Sequence, residues 1–265
     1  YDRFSLRSRN RTAGTEQMRT AERFSPQVGL VWTVDPALSL YASYGEGFRS
    51  NIGATAAGAI FDPETSRAFE AGVKFGLLDN ALTGTLAYFN LRKTNVLAAD
   101  PANPGFSLPI GRAASQGFEF DLAGTLPGEV EVLLSYAYVD AEARADVLDP
   151  NFALQIRSGD RLINVPRHSV NLQASRPFAI GPTRLRIGAG LQHVGARLGE
   201  VATRFELPAY TLARLFANWQ VTDRIEVFAQ VQNLFDTTYY TNSFAQLWVQ
   251  PGTPRAASGG VRVRY

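Results

Sequence analysis

The chain contains no cysteine. That removes disulfides, thiolate nucleophiles and cysteine metal sites. Histidine is nearly as scarce: His168 and His193 are the two, and they leave little from which to build a metal cage. Charge of one sign is also missing. With 26 Lys and Arg against 24 Asp and Glu, the net charge is +2, too small to argue for a nucleic-acid partner. No apolar run approaches the roughly 18 residues that a membrane helix needs. The mean hydropathy is −0.10, the average of a soluble protein. Neither absence excludes a transmembrane β-barrel, in which only every second residue of a strand meets lipid. An initiating Met, a basic n-region and an apolar h-region are absent as well. The chain begins at "YDRFSLRSRN", already inside a strand-like pattern. It reads as the C-terminal part of a longer protein.

Catalytic signatures are equally thin. There is no G-x-S-x-G, and no H-x-x-x-H spacing for a metal. "GAGLQH" (188–193) resembles a dinucleotide loop only in its glycines. It sits inside an alternating strand with no helix after it, which such a site requires. The chain is therefore not expected to be an enzyme, and no cofactor is expected.

What is present is β-structure. Seventeen Phe, ten Tyr and 23 Gly suit strands joined by turns. Apolar and polar residues alternate in stretch after stretch, because side chains along a strand point to opposite faces. In "EVEVLLSYAYVD", Val130, Val132, Leu134, Tyr136 and Tyr138 share one face. In "TRLRIGAGLQHV", Leu185, Ile187, Ala189 and Leu191 oppose Arg184, Arg186, Gly188 and Gln192. No segment holds a 3.6-residue period over three turns. Connections alternate too. Short turns fall at 34–37, 77–81, 126–129, 179–182 and 221–224. Long polar stretches fall at roughly 8–22, 49–63, 98–109, 144–164, 197–207 and 237–254. An outer-membrane barrel is built this way, with short periplasmic turns and longer extracellular loops. About ten residues at roughly 3.3 Å each, tilted about 45°, span a lipid-facing band about 25 Å tall. Aromatics near strand ends (Tyr44, Phe48, Tyr88, Phe89, Tyr136, Tyr138, Tyr210, Trp219, Phe235) are candidates for interfacial girdles.

Several stretches together resemble one family. They are "ALSLYASYGEGFR", "GRAASQGFEFDLAGTLPGEVEVLLSYAYVDA", "NVPRHSVNLQAS", "LPAYTLARLFANW", "VQNLFDTTYY" and "PGTPRAASGGVRVRY". They resemble, in order, the C-terminal half of a TonB-dependent outer-membrane receptor of the ferric-siderophore kind. The resemblance implies an all-β chain: about 12 C-terminal strands of a 22-stranded antiparallel transmembrane barrel. The N-terminal plug domain and the segment that engages the TonB-type energy transducer are then absent from this chain. It implies a bacterial outer-membrane protein, a monomer, that imports a ferric siderophore, with iron present only as cargo. Cobalamin, haem, another chelate or a glycan remains an alternative cargo. A passive porin, a barrel enzyme and a soluble β-sandwich are the alternatives outside that class.

Within this reading the cargo candidates are Arg49, Phe106, Arg112, Tyr239, Tyr240, Phe244 and Trp248, all placed on extracellular loops. An electropositive, aromatic-lined vestibule would attract and hold a polar chelate. The arginines of the opening hairpin (Arg3, Arg7, Arg9, Arg11, Arg19, Arg23) are assigned instead to lipopolysaccharide phosphates. In "GFEFD", Glu119 and Asp121 are expected on the lumen side. In "NLFD", Asn233 and Asp236 are expected to bond backbone while Phe235 anchors the loop. At the end of the chain, Val261 and Val263 are expected to face lipid and Arg262 and Arg264 the lumen. The final Tyr265 resembles the C-terminal aromatic that outer-membrane proteins present to the barrel assembly machinery. Lacking its other strands, the chain should form an open arc with two bare edges.

Overall fold

The computed structural model describes residues 2–10 and 14–264. Among these residues there is no helix. The strands in chain order are β1 (Asp2–Asn10), β2 (Thr15–Arg23), β3 (Gln27–Asp35), β4 (Leu38–Arg49), β5 (Glu64–Leu77) and β6 (Leu82–Ala99). Next come β7 (Ser107–Leu126), β8 (Val130–Ala143), β9 (Val147–Leu148), β10 (Gln155–Ile156), β11 (His168–Ile180) and β12 (Thr183–Val194). The last are β13 (Arg197–Leu198), β14 (Glu206–Leu207), β15 (Tyr210–Gln220), β16 (Ile225–Gln232), β17 (Tyr240–Ala245), β18 (Trp248–Pro251) and β19 (Ala256–Val263).

Eleven strands are hydrogen-bonded neighbours in the order β19-β16-β15-β12-β11-β8-β7-β6-β5-β4-β3, every pair antiparallel. β3 and β19 do not pair with each other, so the sheet is an open arc. β2 leads into β3 across Phe24–Pro26, and the Pro26 carbonyl accepts the Glu46 N–H at 2.9 Å. β2 and β3 thus continue one line beside β4. With β1 paired to β2, the arc has the twelve staves the sequence suggested.

Short turns (36–37, 78–81, 127–129, 181–182, 221–224) lie at one end of the arc and longer connections at the other. Turn chemistry explains the tight ends. Asn80, Gly128 and Gly181 take positive φ (65°, 86° and 57°), a conformation that Asn and Gly adopt at least strain. Strand stagger is readable from the register. One pairing row begins at Leu38, beside the turn end of β4. It passes through Phe75, Gly84, Leu122, Leu134, Leu172 and Leu191 and reaches Ala213, close to the loop end of β15. Such a climb is what tilted barrel strands require.

The two faces follow the sequence period. The concave face surrounds a cavity of about 990 Å³, lined by Lys74, Asp121, Ser135, Gln173 and Arg214 among others. Polar groups link across it: Tyr41 donates to Glu70 (2.6 Å), Arg186 pairs with Glu131, and Arg262 donates to Glu226 (3.1 and 3.2 Å). The opposite face leaves large apolar side chains in the open. Trp32 is 62% exposed, Leu172 39% and Val261 63%. A water-soluble sheet would bury that many side chains. Val130 and Val132 share this outward face and are half-buried by their neighbours.

Three expectations are corrected. Residues 8–10 and 15–22 are strand and not loop: β1 and β2 form a ladder from Asp2↔Arg23 to Asn10↔Thr15. One face of the ladder is polar (Ser5–Thr20, 3.0 Å; Arg3–Glu22, 3.3 Å; Arg7–Glu16), and the apolar Phe4 and Leu6 of the other precede the stretch, so 8–22 itself shows little hydropathic period. Phe89 and Tyr210 do not join an outer girdle. Register puts them on the concave face, with Phe89 opposite Glu70 and Tyr210 opposite Val194. Phe235 is 74% exposed and does not anchor its loop by packing. Gly188 and Gly190 leave room for neighbouring side chains. A Cβ at Gly188 would meet the Phe216 ring, and one at Gly190 would meet Arg214.

Candidate functional site

Three long connections at the loop end fold onto one another. The segment 144–167 carries the β9–β10 ladder, 195–209 carries β13–β14, and 233–255 carries β17–β18. Their junction is polar and buried. Asn164 donates its Nδ2 to the Ser243 carbonyl (2.6 Å) and accepts the Ser243 N–H on Oδ1 (2.9 Å). Ser243 also donates its hydroxyl to the Gly199 carbonyl (2.6 Å). The Asn164 N–H reaches the Leu198 carbonyl (2.8 Å). Together these bonds join every pair of the three loops, which form one cap.

Arg197 sits at the centre of that cap. It is 1% exposed, among the most buried side chains described. Its Nη2 donates to the carbonyls of Tyr240 (2.5 Å) and Thr241 (2.8 Å), and its guanidinium lies over the Tyr210 ring at 5.5 Å. Burial without a carboxylate lowers its pKa from the ordinary arginine value. Tyr210 in turn packs on Tyr239, with ring centroids 4.7 Å apart. Tyr239 lines the concave cavity beside Arg214 and Thr253. Its hydroxyl accepts the Thr253 N–H at 3.2 Å. Gly252 is required beneath it, since a Cβ there would run into the Tyr239 ring. "NLFD" closes the corner largely as expected. Asn233 donates to the Thr237 carbonyl (2.9 Å) and accepts its N–H (2.8 Å), while Asp236 accepts from the Arg255 N–H (2.8 Å).

The sequence-derived candidates fall in three places. Tyr239, Tyr240, Phe244 and Trp248 belong to one connection. Phe244 packs on Phe152 at 5.3 Å, bridging two loops, while Trp248 is 72% exposed at the β17–β18 tip. Phe106 is 46% exposed, and its carbonyl closes the 100–106 turn by accepting the Asp100 N–H at 3.0 Å. Asp100 is held below the usual carboxylate range by the Asn103 side-chain amide and the Ala102 N–H. Arg49 and Arg112 are not on loops. Arg49 ends β4 and pairs with the buried Glu64 (3.0 Å), which also holds Lys93 (3.0 Å). Arg112 lies on β7 in register with the outward-facing Phe118 and Phe120, turned away from the cavity. Tyr265 lies outside the described residues, as does Arg11. Arg3, Arg7 and Arg23 of the opening hairpin are ion-paired to Glu22, Glu16 and Glu46.

Sequence reasoning missed Arg197, Asn164, Ser243 and Arg214. The visible trace of Arg197 is its position between Gly195 and Gly199 in "VGARLGE". What the site offers chemically is a hydrogen-bonding wall of mixed charge with tyrosines at its loop end. Glu119 and Asp121 are on this face, as "GFEFD" implied.

Comparison with known proteins agrees with this architecture. The family description "TonB dependent receptor-like, beta-barrel" matches residues 1–234. The metal-pseudopaline receptor CntO of Pseudomonas aeruginosa is 39% identical over 253 residues, covering 95% of this chain and 35% of that protein. The ferrichrome outer membrane transporter/phage receptor of Escherichia coli is 32% identical over 250 residues, covering 92% of this chain and 32% of that protein. Among solved structures, the siderophore receptor PiuA from Acinetobacter baumannii superposes with a TM-score of 0.83 at 23% identity, over 99% of this chain and 39% of that one. The chain thus spans about a third of the length of these curated relatives. With a family match over most of its length, an open antiparallel arc and an apolar outer face, the chain belongs to the TonB-dependent receptor β-barrel family of bacterial outer-membrane proteins.

Proposed function

We propose that this chain is the C-terminal barrel portion of a receptor that imports a metal chelate, a ferric siderophore in the first instance, across the outer membrane. The observation that carries the reading is the stitched cap. Three loops are locked over a polar concave wall by Arg197, Asn164 and Ser243, and Tyr239 reaches from the cap into the cavity. A passive pore has no need of such a closure on one side, whereas a receptor must hold its cargo there. In this reading the barrel makes and breaks no covalent bond and carries no cofactor. It supplies a rigid wall, part of the binding vestibule and the lipid seal. A plug domain and a TonB-type energy transducer, engaged through an N-terminal segment, supply the coupling, because the outer membrane holds no nucleotide pool. The receptor acts as a monomer and is inserted by the barrel assembly machinery.

The relative at 39% identity is named for a metal-pseudopaline complex and another for ferrichrome. The first name is that of a metal complex and neither is that of a glycan, which favours a chelate over a glycan here. The test is growth of a deletion strain on a panel of chelates, including iron siderophores and zinc or nickel complexes, with and without the energy transducer. Transducer-dependent rescue by one chelate is expected. Uptake that persists without the transducer would overturn the reading.

A further inference from the structure

The concave wall is not uniform in charge. Toward one side, β5 and β7 present Glu70, Lys74, Glu119 and Asp121 to the lumen. Toward the other, β15, β16 and β19 present Arg214, Glu226 and Arg262. The three strands between differ. The concave face of β11 carries no charged side chain and runs Ser169, Asn171, Gln173, Ser175, Pro177, Ala179. That of β8, from Glu131 toward the loop end, continues Leu133, Ser135, Ala137 and Val139. That of β12, beyond Arg186, continues Gly188, Gly190, Gln192 and Val194. One pairing row shows the contrast: Lys74, Thr85 and Asp121 give way to Ser135, Asn171 and Gln192.

The uncharged strip is also low. Most of its side chains are small, and the larger ones at its border lie down. Phe216 lies across Gly188 and Arg214 across Gly190, where a Cβ at either glycine would run into the side chain above it. Arg214 is held in that position by donating to Gln173. At the turn end Arg186 crosses the strip to pair with Glu131, over Ser175. At the loop end the strip begins under the cap. There the Leu162 N–H donates to the Ala141 carbonyl (2.9 Å) and the Val139 N–H to the Arg167 carbonyl (3.0 Å). Ser135, Asn171, Gln173 and Gln192 all line the cavity. The strip therefore leads from the cap down the wall to the Glu131–Arg186 pair.

We propose that this strip of β8, β11 and β12 is the side of the barrel along which the cargo passes. The inference rests on the import function proposed above and adds where in the lumen passage takes place. A plug domain must hold to the wall at rest and let go during import. Charge-assisted hydrogen bonds are roughly twice as strong as neutral ones, so the charged strands grip a plug more firmly than the amides and hydroxyls between them. A pull on the plug then parts the two surfaces first at the strip. Amides and hydroxyls both donate and accept. They can exchange a plug partner for water or for the polar groups of a chelate without leaving a buried charge unpaired, which is the costly case. The low relief of the strip leaves the gap for the cargo.

The test narrows the strip without charging it. The full-length receptor carrying N171W/Q192W is compared with S39W/T85W, which adds the same rings in the same pairing row on β4 and β6. Radioactive iron loaded onto each chelate of the panel above is the probe. N171W/Q192W should retain the chelate at the cell surface as the wild type does and import it about tenfold more slowly, as overpacking of the route would. S39W/T85W should import within about twofold of the wild type. Heat-modifiable migration reports folding; if the strip variant does not fold, S135W, in the same row on β8, should slow import about threefold. Import at the wild-type rate by folded N171W/Q192W or S135W, equal slowing by S39W/T85W, or loss of surface retention in step with import would each overturn the strip as the route and leave the receptor reading standing. No transducer-dependent import of any chelate by the wild type would overturn that reading, and the route with it.

Discussion

Arg197 shows how much one side chain can organise. Its guanidinium meets two carbonyls and a tyrosine face, with no acid to offset desolvation. Arg197→Ala removes the charged donor from both carbonyls, at about 1.5–3 kcal/mol per bond. We expect the loops 195–209 and 240–251 to become open to protease while the strands below keep their protection. Limited proteolysis followed by mass mapping checks this, and cleavage spread evenly along the chain would contradict it. Asp100 gives the pH counterpart. Its carboxylate is favoured in the folded turn by Asn103 and Ala102, so its folded pKa lies below its unfolded one. The stability it contributes is present above about pH 4, the unfolded carboxylate value, and is lost as pH falls through the lower folded value. Nicking within 100–106 should therefore rise when pH is lowered toward 3 and not between 7 and 5. Asp100→Ala should show the raised nicking already at neutral pH. An acid-tolerant protease such as pepsin serves the low-pH arm.

At the scale of elements, the two faces of each strand should respond oppositely to charge. Leu172 and Asn171 are adjacent on β11 and point to opposite sides. Leu172→Arg, on the lipid face, should cost about 2–4 kcal/mol if its depth is near the midplane. Asn171→Arg should cost little, because its side chain enters the wet concave side. Urea titration of the receptor in liposomes, followed by heat-modifiable migration, measures both; equal effects would remove the face assignment. This alternation is the part of the fold that the sequence displays openly, since burial of one face imprints a two-residue period. Hence Val130 to Tyr138, Ile187 and Val261 were legible, and so were Glu119 and Asp121. Two kinds of feature were not. The stretch 8–22 is polar almost throughout, and the apolar Phe4 and Leu6 of the same ladder precede it, so it shows no period that distinguishes it from a loop. The cap rests on contacts such as Asn164 with Ser243, 79 residues apart. A lone Asn or Arg in a polar stretch carries no local mark of a partner so distant. Arg112 failed for a smaller reason. It was placed in a loop, when β7 extends to Ser107 and its parity turns the residue outward.

Taken whole, the arc has a consequence that no single strand has. β3 is paired only to β4 and β19 only to β16. Each therefore presents a row of free backbone donors and acceptors, at opposite borders of a sheet whose convex side is apolar. In lipid such groups cost several kcal/mol each unless they are paired. In detergent they are templates for another chain. Closure by further strands of the same receptor would satisfy both borders at once. Residues 1–265 produced alone and refolded in detergent should then associate edge to edge, migrating in size exclusion as dimers and larger species and lacking the heat-resistant compact band of a closed barrel. Supplying the remaining strands as a separate chain during refolding should restore a single compact species. Lys placed at Val28 and Gly259, on the two edge strands, should weaken the association by charging the borders, as natural edge strands do. A monodisperse, heat-resistant monomer formed by residues 1–265 alone would mean that β3 and β19 can close on each other, and the geometry of the arc would have to be redrawn.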